Sequence, residues 1–157
     1  MTFDACQDVR VALVDDMPEI LRLTRIACSE DAQHSYNEDK VVAVLHLHFD
    51  RRGGMVGVIG EPGGELKAYL IMCVSEVWYS SDLHVQELSL FVAPEHRRSN
   101  FAKQLMAFSK RTSDLLNLDL TIGVLSTERT EAKVRLYERQ FPKCGAFFIY
   151  RPSAEGG

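Results

Sequence analysis

The sequence predicts an α/β fold, and three observations carry that reading. Across residues 85–106 the apolar period switches: Leu88, Leu90 and Val92 alternate as on a strand, then Ala102, Leu105, Met106 and Ser109 recur at helical spacing. Along the chain the same patterns give the order strand, helix, helix, three strands, helix, strand, helix, strand, hence about six strands and four helices. The length of 157 residues, 25% charged and 46% hydrophobic, suits one domain with a single core and excludes disordered, coiled-coil and fibrous chains.

The first strand is marked by Val9, Val11 and Leu13. Asp15 or Asp16 then offers an N-cap and Pro18 sits in the first helical turn, where its missing N–H is not needed. Ile20, Leu21, Leu23, Thr24, Ala27 and Cys28 trace the buried face of helix one, which the polar run 29–35 ends. A second helix is expected from about Asn37 to Asp50, although the alternation through Leu45, Leu47 and Phe49 also suits a strand. Gly53-Gly54 and Gly63-Gly64 mark turns around a strand at 55–60, and a long strand follows from Leu66 to Trp78. Neither glycine pair precedes a helix or a Gly-Lys-Ser/Thr ending, so hairpin turns fit better than a nucleotide loop. After the central strand and its helix, Leu118 to Leu125 reads as a strand, and a helix is expected from about Glu128 to Gln140 with Thr127 as candidate cap. Phe147 to Tyr150 reads as a short aromatic strand.

Charge and cysteine usage narrow the function classes. A net charge of -4 argues against a nucleic-acid module, which usually carries a basic surplus. The N-terminus lacks the basic and apolar regions of a signal peptide, and no run approaches the roughly 18 apolar residues of a membrane span, so a cytoplasmic location is expected. Cys6, Cys28, Cys73 and Cys144 are scattered, without a Cys-x-x-Cys pair or clustered histidines, which suggests neither a zinc site nor a disulfide framework. His46 and His48 stand two apart, point to different sides of a helix, and have no carboxylate or cysteine at ligand spacing. No metal is expected.

A strand that feeds directly into a helix N-terminus makes an anion site, because the first N–H groups of the helix lack internal partners and the macrodipole adds partial positive charge. The stretch Leu90-Phe91-Val92-Ala93-Pro94-Glu95-His96-Arg97-Arg98, together with the element order, resembles the GCN5-related N-acetyltransferase (GNAT) family, and within it phage-type members. The likeness covers nearly the whole chain. Arg97, Asn100 and Ala102 fall on the family's Arg/Gln-x-x-Gly-x-Gly/Ala acyl-CoA motif, with Asn100 in the place of the middle glycine. Leu136-Tyr137-Glu138 before Phe141 is similar to the family's Leu-Tyr-Glu-x-x-Gly-Phe segment, one residue shorter and with Gln140 replacing the glycine before Phe.

The resemblance implies a GNAT-like fold, a central mixed and mostly antiparallel twisted sheet flanked by the helices, and an acyl-CoA-dependent N-acyltransferase. It implies that acetyl-CoA is the acyl donor. Main-chain groups of Leu90, Phe91 and Val92 would pair with its pantetheine arm, and the turn of Arg97, Arg98, Ser99, Asn100, Phe101 and Ala102 would hold its pyrophosphate. The chemistry needs a base, since an amine with a pKa of about 10.4 must lose a proton before attack, and an acid for the departing thiolate. Glu87 lies where some family members place a glutamate base, against the alternative of an ordinary solvent-facing glutamate. Tyr137 corresponds to the family's tyrosine acid, against the alternative of a core tyrosine; Ser89 and His84 are lesser candidates for relaying protons. The acceptor, a small-molecule or protein amine, is not specified by the sequence, and the aromatic C-terminal strand could support a homodimer. A second reading is a catalytically inactive protein of this fold that binds acyl-CoA or a protein partner, motivated by Asn100 and Gln140 at glycine positions.

Overall fold

The structure, a computed structural model, describes residues 8–31, 34–50, 52–126 and 129–152. Its elements run β1 (Val9–Val11), α1 (Met17–Asp31), α2 (Glu38–Phe49), β2 (Gly54–Ile59), β3 (Ala68–Glu76), β4 (Leu83–Val92), α3 (Phe101–Leu116), β5 (Leu120–Thr121) and α4 (Thr130–Glu138). The expected order holds through α4. Among the described residues no helix is long and apolar enough to cross a membrane.

The five strands form one mixed sheet in the order β1-β2-β3-β4-β5. The first three pairings are antiparallel, β2–β3 and β3–β4 through short connections and β1–β2 across the α1–α2 pair, and β5 returns parallel to β4 after the α3 crossover. Side-chain alternation divides the core in two. One face presents Val56, Val58, Tyr69, Ile71 and Phe91 to Ile20 and Leu23 of α1 and Leu45 of α2. The other presents Ile59, Ala68, Leu70, Met72 and Val85 to Leu105, with Phe101 and Phe108 packed alongside. Gly57 lets α3 approach: a Cβ there would lie 2.8 Å from the Phe108 ring.

The 37–50 segment is helical, which resolves the strand alternative. Asn37 accepts the Lys40 N–H at 3.0 Å, Glu38 and Asp39 occupy the first turn, and Leu45 and His48 bury one stripe. His48 is a packing residue, with Nδ1 2.7 Å from the Val44 carbonyl and Nε2 2.7 Å from the Met72 carbonyl. His46 is exposed.

At the start of α1, buried Asp16 accepts the Leu13 N–H at 2.7 Å and forms a two-bond ion pair with Arg10, at 2.7 and 2.8 Å. It also accepts the Gly63 N–H at 3.3 Å, and Arg10 Nε donates to the Gly60 carbonyl at 2.7 Å. The β2–β3 turn is thereby fastened to the entry of α1, and positive φ at Gly60 and Gly63 makes this the hairpin the glycines predict.

Two expectations change at the C-terminal end. The strand over Leu118–Leu125 contracts to Leu120–Thr121. The sixth strand, Phe147–Tyr150, is not formed: these side chains are 53–93% exposed, and β-propensity without an edge to pair with makes no strand. Cys144 lies exposed in the same stretch, whereas Cys28 and Cys73 are half-buried. Cys6 and the candidate cap Thr127 lie outside the described residues.

Candidate functional site

The site begins where two parallel strands part. β5 pairs with β4 only at Val85↔Leu120 and Gln86↔Thr121, supported by the Val85 N–H to the Asp119 carbonyl at 2.8 Å. Beyond Gln86 no described strand pairs with this edge of β4, which leaves a wedge between residues 87–92 and the chain after Thr121. Gly123, the next glycine on the β5 side, donates its N–H to Glu87 Oε2 at 3.2 Å. A side chain therefore takes the place of the next rung of the ladder.

A β-bulge aims that side chain. On the β3 side the register runs Leu70↔Leu90 and Ile71↔Ser89, then skips Leu88 to pair Met72 with Glu87. Strict alternation back from Phe91 would put Glu87 with Ser89, on the face covered by α1 and α2. With the extra residue, Glu87 falls by register with Met72 and Val85, on the face covered by α3. Tyr137, on α4, meets it there: the phenol hydroxyl donates toward the Glu87 carboxylate, to which the Leu90 N–H also points.

The environment of this pair sets its proton chemistry. Burial pushes the Glu87 carboxyl up to about 7, against the pull of three donors: the Gly123 N–H, the Tyr137 hydroxyl and the Leu90 N–H. Burial also pushes the Tyr137 phenol well above its ordinary value, and the adjacent Glu87 charge and hydrogen bond push it further. Near neutral pH such a carboxyl can accept a proton, while the phenol keeps its own and can donate it.

At the far end of β4, the Ala93 N–H reaches the Lys67 carbonyl at 2.9 Å and the chain makes a short 3-10 turn over Pro94–His96. Ser99 Oγ donates to the His96 carbonyl and accepts the Phe101 N–H at 3.2 Å. Asn100 precedes α3 at φ −91° and ψ 13°, so the turn needs no left-handed backbone there. Its side chain does not cap the helix and bonds Gln104 at 2.8 Å instead, and Gln104 in turn holds Asp8. With no acidic residue in its first turn, α3 presents its N-terminal N–H groups at Ala102 and Lys103 as an anion-receptive end. Leu90 and Val92 pack against the α3 face of the sheet and Phe91 against the opposite face; by the alternation of the ladder Leu90 and Val92 turn main-chain groups to the wedge, while those of Phe91 face β3.

The two arginines behave differently. Arg98 is exposed and forms no ion pair among the described residues. Arg97 turns back over β4: its guanidinium pairs with Glu30 of α1, its Nε donates to the Val92 carbonyl at 3.4 Å, and its charge lies 5.6 Å from the Phe91 ring centroid.

Of the lesser candidates, Ser89 Oγ lies 3.1 Å from the Tyr69 hydroxyl on the α1 side of the sheet. His84 Nδ1 is buried without a partner among the described residues. The structure thus brings Glu87 and Tyr137 together at the crotch of the wedge and sets the arginine turn at its other end. Sequence reading missed Leu88, Gly123 and Glu30. Gly123 carried a signal, an isolated glycine in a strand pattern, which often marks a bulge or close approach. Glu30 carried none, being 67 residues from its partner.

No protein-family model matches the chain, and no curated protein matches it in sequence. Solved structures do. An integron cassette protein from the mobile metagenome of Cole Harbour Salt Marsh superposes with a TM-score of 0.72 at 19% identity, over 97% of this chain and 94% of that one. A possible acetyltransferase from Clostridium difficile 630 gives 0.70 at 19% identity, over 94% and 97%. AAC(6')-Iy, solved in complex with the bisubstrate analogue CoA-S-monomethyl-acetylneamine, gives 0.70 at 16% identity, over 94% and 98%. The chain has the fold of the GNAT acetyltransferases that the sequence resemblance implied.

Proposed function

We propose that the chain is a GNAT-family N-acyltransferase that moves an acetyl or other short acyl group from acyl-CoA to a primary amine by direct attack in a ternary complex. The observation that carries this reading is the meeting of Glu87 and Tyr137 at the split between β4 and β5, a carboxyl raised to about 7 beside a phenol that keeps its proton. Acetyl-CoA supplies the thioester carbonyl and a thiolate leaving group. Glu87 takes the proton of the incoming ammonium, directly or through one water, so that the neutral nitrogen forms its bond to the carbonyl carbon. Tyr137 gives its proton to the sulfur as the carbon–sulfur bond breaks, and the second proton that the nitrogen loses in becoming an amide passes through water to restore the phenol. Main-chain groups of Leu90 and Val92 line the donor arm. The turn from Arg97 and Arg98 through Ser99, Asn100 and Phe101 to Ala102 seats the pyrophosphate at the start of α3.

Calorimetric titration with acetyl-CoA tests the donor site, and thiol release across a panel of amines tests the chemistry. Because one structural neighbour is held on a CoA-acetylneamine analogue, small-molecule amines come first in the panel and protein amines follow. Tyr137→Phe is expected to retain donor binding and to lower kcat about a hundredfold. Absence of acyl-CoA binding overturns the proposal. Asn100 and Gln140 at glycine positions of the motif favour a second reading, a binding protein without turnover; donor binding with no thiol release from any amine would establish it.

A further inference from the structure

Arg97 is the one cation of the arginine turn that is already engaged, and each of its contacts leads away from the start of α3. The guanidinium is paired with Glu30, in the last turn of α1. Nε donates to the Val92 carbonyl, a main-chain group on the edge of β4 that the donor arm would use, and the planar cation lies over Phe91. Both partners of the ion pair are partly exposed, at 35% and 26% of their side-chain surface, so the pair is the kind that exchanges rather than one locked in a core. Neighbouring charge sharpens the competition. Glu65 and Glu95, with His96, cluster beside the turn, so negative charge there also opposes an incoming phosphate.

We propose that Glu30 competes with the donor's phosphate for Arg97, and so sets the affinity of the donor site. In the free protein Arg97 lies along β4, bound to Glu30 and to the Val92 carbonyl, where it obstructs the pantetheine path. A diphosphate at the start of α3 draws the guanidinium off Glu30, because two phosphate oxygens accept its paired N–H groups and carry more charge than one carboxylate. The same movement frees the Val92 carbonyl. It also leaves the Glu30 carboxylate without its cation at the end of α1, so donor entry at one end of β4 changes the charge on the opposite layer of the fold. This inference rests on the acyl-CoA reading above.

The test is a double-mutant cycle on acetyl-CoA affinity by calorimetry at low salt, using the full chain as wild type, Glu30→Gln, Arg97→Gln and the double variant. Circular dichroism verifies that each is folded. Glu30→Gln is expected to tighten binding about twofold to fivefold, the fold-change corresponding to release from one partly exposed ion pair. Arg97→Gln is expected to weaken binding, and Glu30→Gln to have no further effect once Arg97 is gone. The advantage of Glu30→Gln is also expected to shrink as salt is raised. Unchanged or weaker binding by Glu30→Gln overturns the inference while leaving the acyl-CoA reading intact, as does equal tightening with and without Arg97. Failure of all four proteins to bind acetyl-CoA overturns both; binding by Glu30→Gln where wild type binds none supports both.

Discussion

At the scale of single residues, Glu87 is the group whose environment and proposed task agree most closely, and that agreement has a cost that can be measured. An acid whose pKa rises on folding holds its proton longer in the folded state than in the unfolded one. Stability therefore falls as pH rises from about 4.5, where the unfolded carboxyl ionises, to about 7, where the folded one does, and stays lower above that. Glu87→Gln removes the penalty. It is expected to abolish most turnover, to lose the rise of kcat/KM through about pH 7, and yet to be more stable than wild type at pH 8 by on the order of 3 kcal/mol, with little difference at pH 4. Thermal melts across that range check the stability arm. In wild type the amide resonance of Gly123, which donates to the Glu87 carboxylate, is expected to titrate with the same midpoint of about 7. Neither Glu87 nor Tyr137 was distinguishable by residue type from an ordinary glutamate or a core tyrosine; the family resemblance singled them out, and the bulge at Leu88 and the register of β4 bring them together.

At the scale of elements, local signals were legible and pairing signals were not. The helical stripe of α3, the start of α2 near Asn37 and the glycine turn between β2 and β3 depend on residues near one another in sequence, and each formed where its pattern lay. The length of β5 and the fate of Phe147–Tyr150 depend on whether an edge is offered across space, and no local pattern encodes that. Asp16 lies between these cases. The sequence offers it as a helix cap, but its carboxylate takes the Leu13 N–H upstream of the helix and binds Arg10 and the Gly63 N–H across the fold. Burial alone would raise this carboxyl; Arg10 and the N–H groups of Leu13 and Gly63 outweigh it and hold it below the ordinary range. Its stabilisation is therefore present at neutral pH and is lost as pH falls through that depressed value. Asp16→Asn leaves Arg10 unpaired and is expected to cost about 3 kcal/mol, read as a lower midpoint in urea at pH 7.

At the scale of the whole molecule, burial is uneven. The two core clusters close around β1 to β4, whereas α4 has no fully buried residue, Tyr137 being partly buried, and the chain from 142 to 152 is exposed throughout. Large apolar side chains in that last stretch contribute little to folding: Phe148→Ser with Tyr150→Ser, at positions 93% and 86% exposed, is expected to change stability by less than about 0.5 kcal/mol in the same urea measurement. The two-rung link between β4 and β5 has a further consequence, in the kinetics of local opening. Amides of Ala68 to Cys73, flanked by strands on both sides, are expected to exchange with deuterium only through global unfolding, while those from Leu120 onward exchange through a smaller opening that parts the sheet at the wedge. The segment carrying Tyr137 would then come away from the larger body carrying Glu87 without that body unfolding, and a donor bridging the gap would slow exchange on the β5 side far more than in the core.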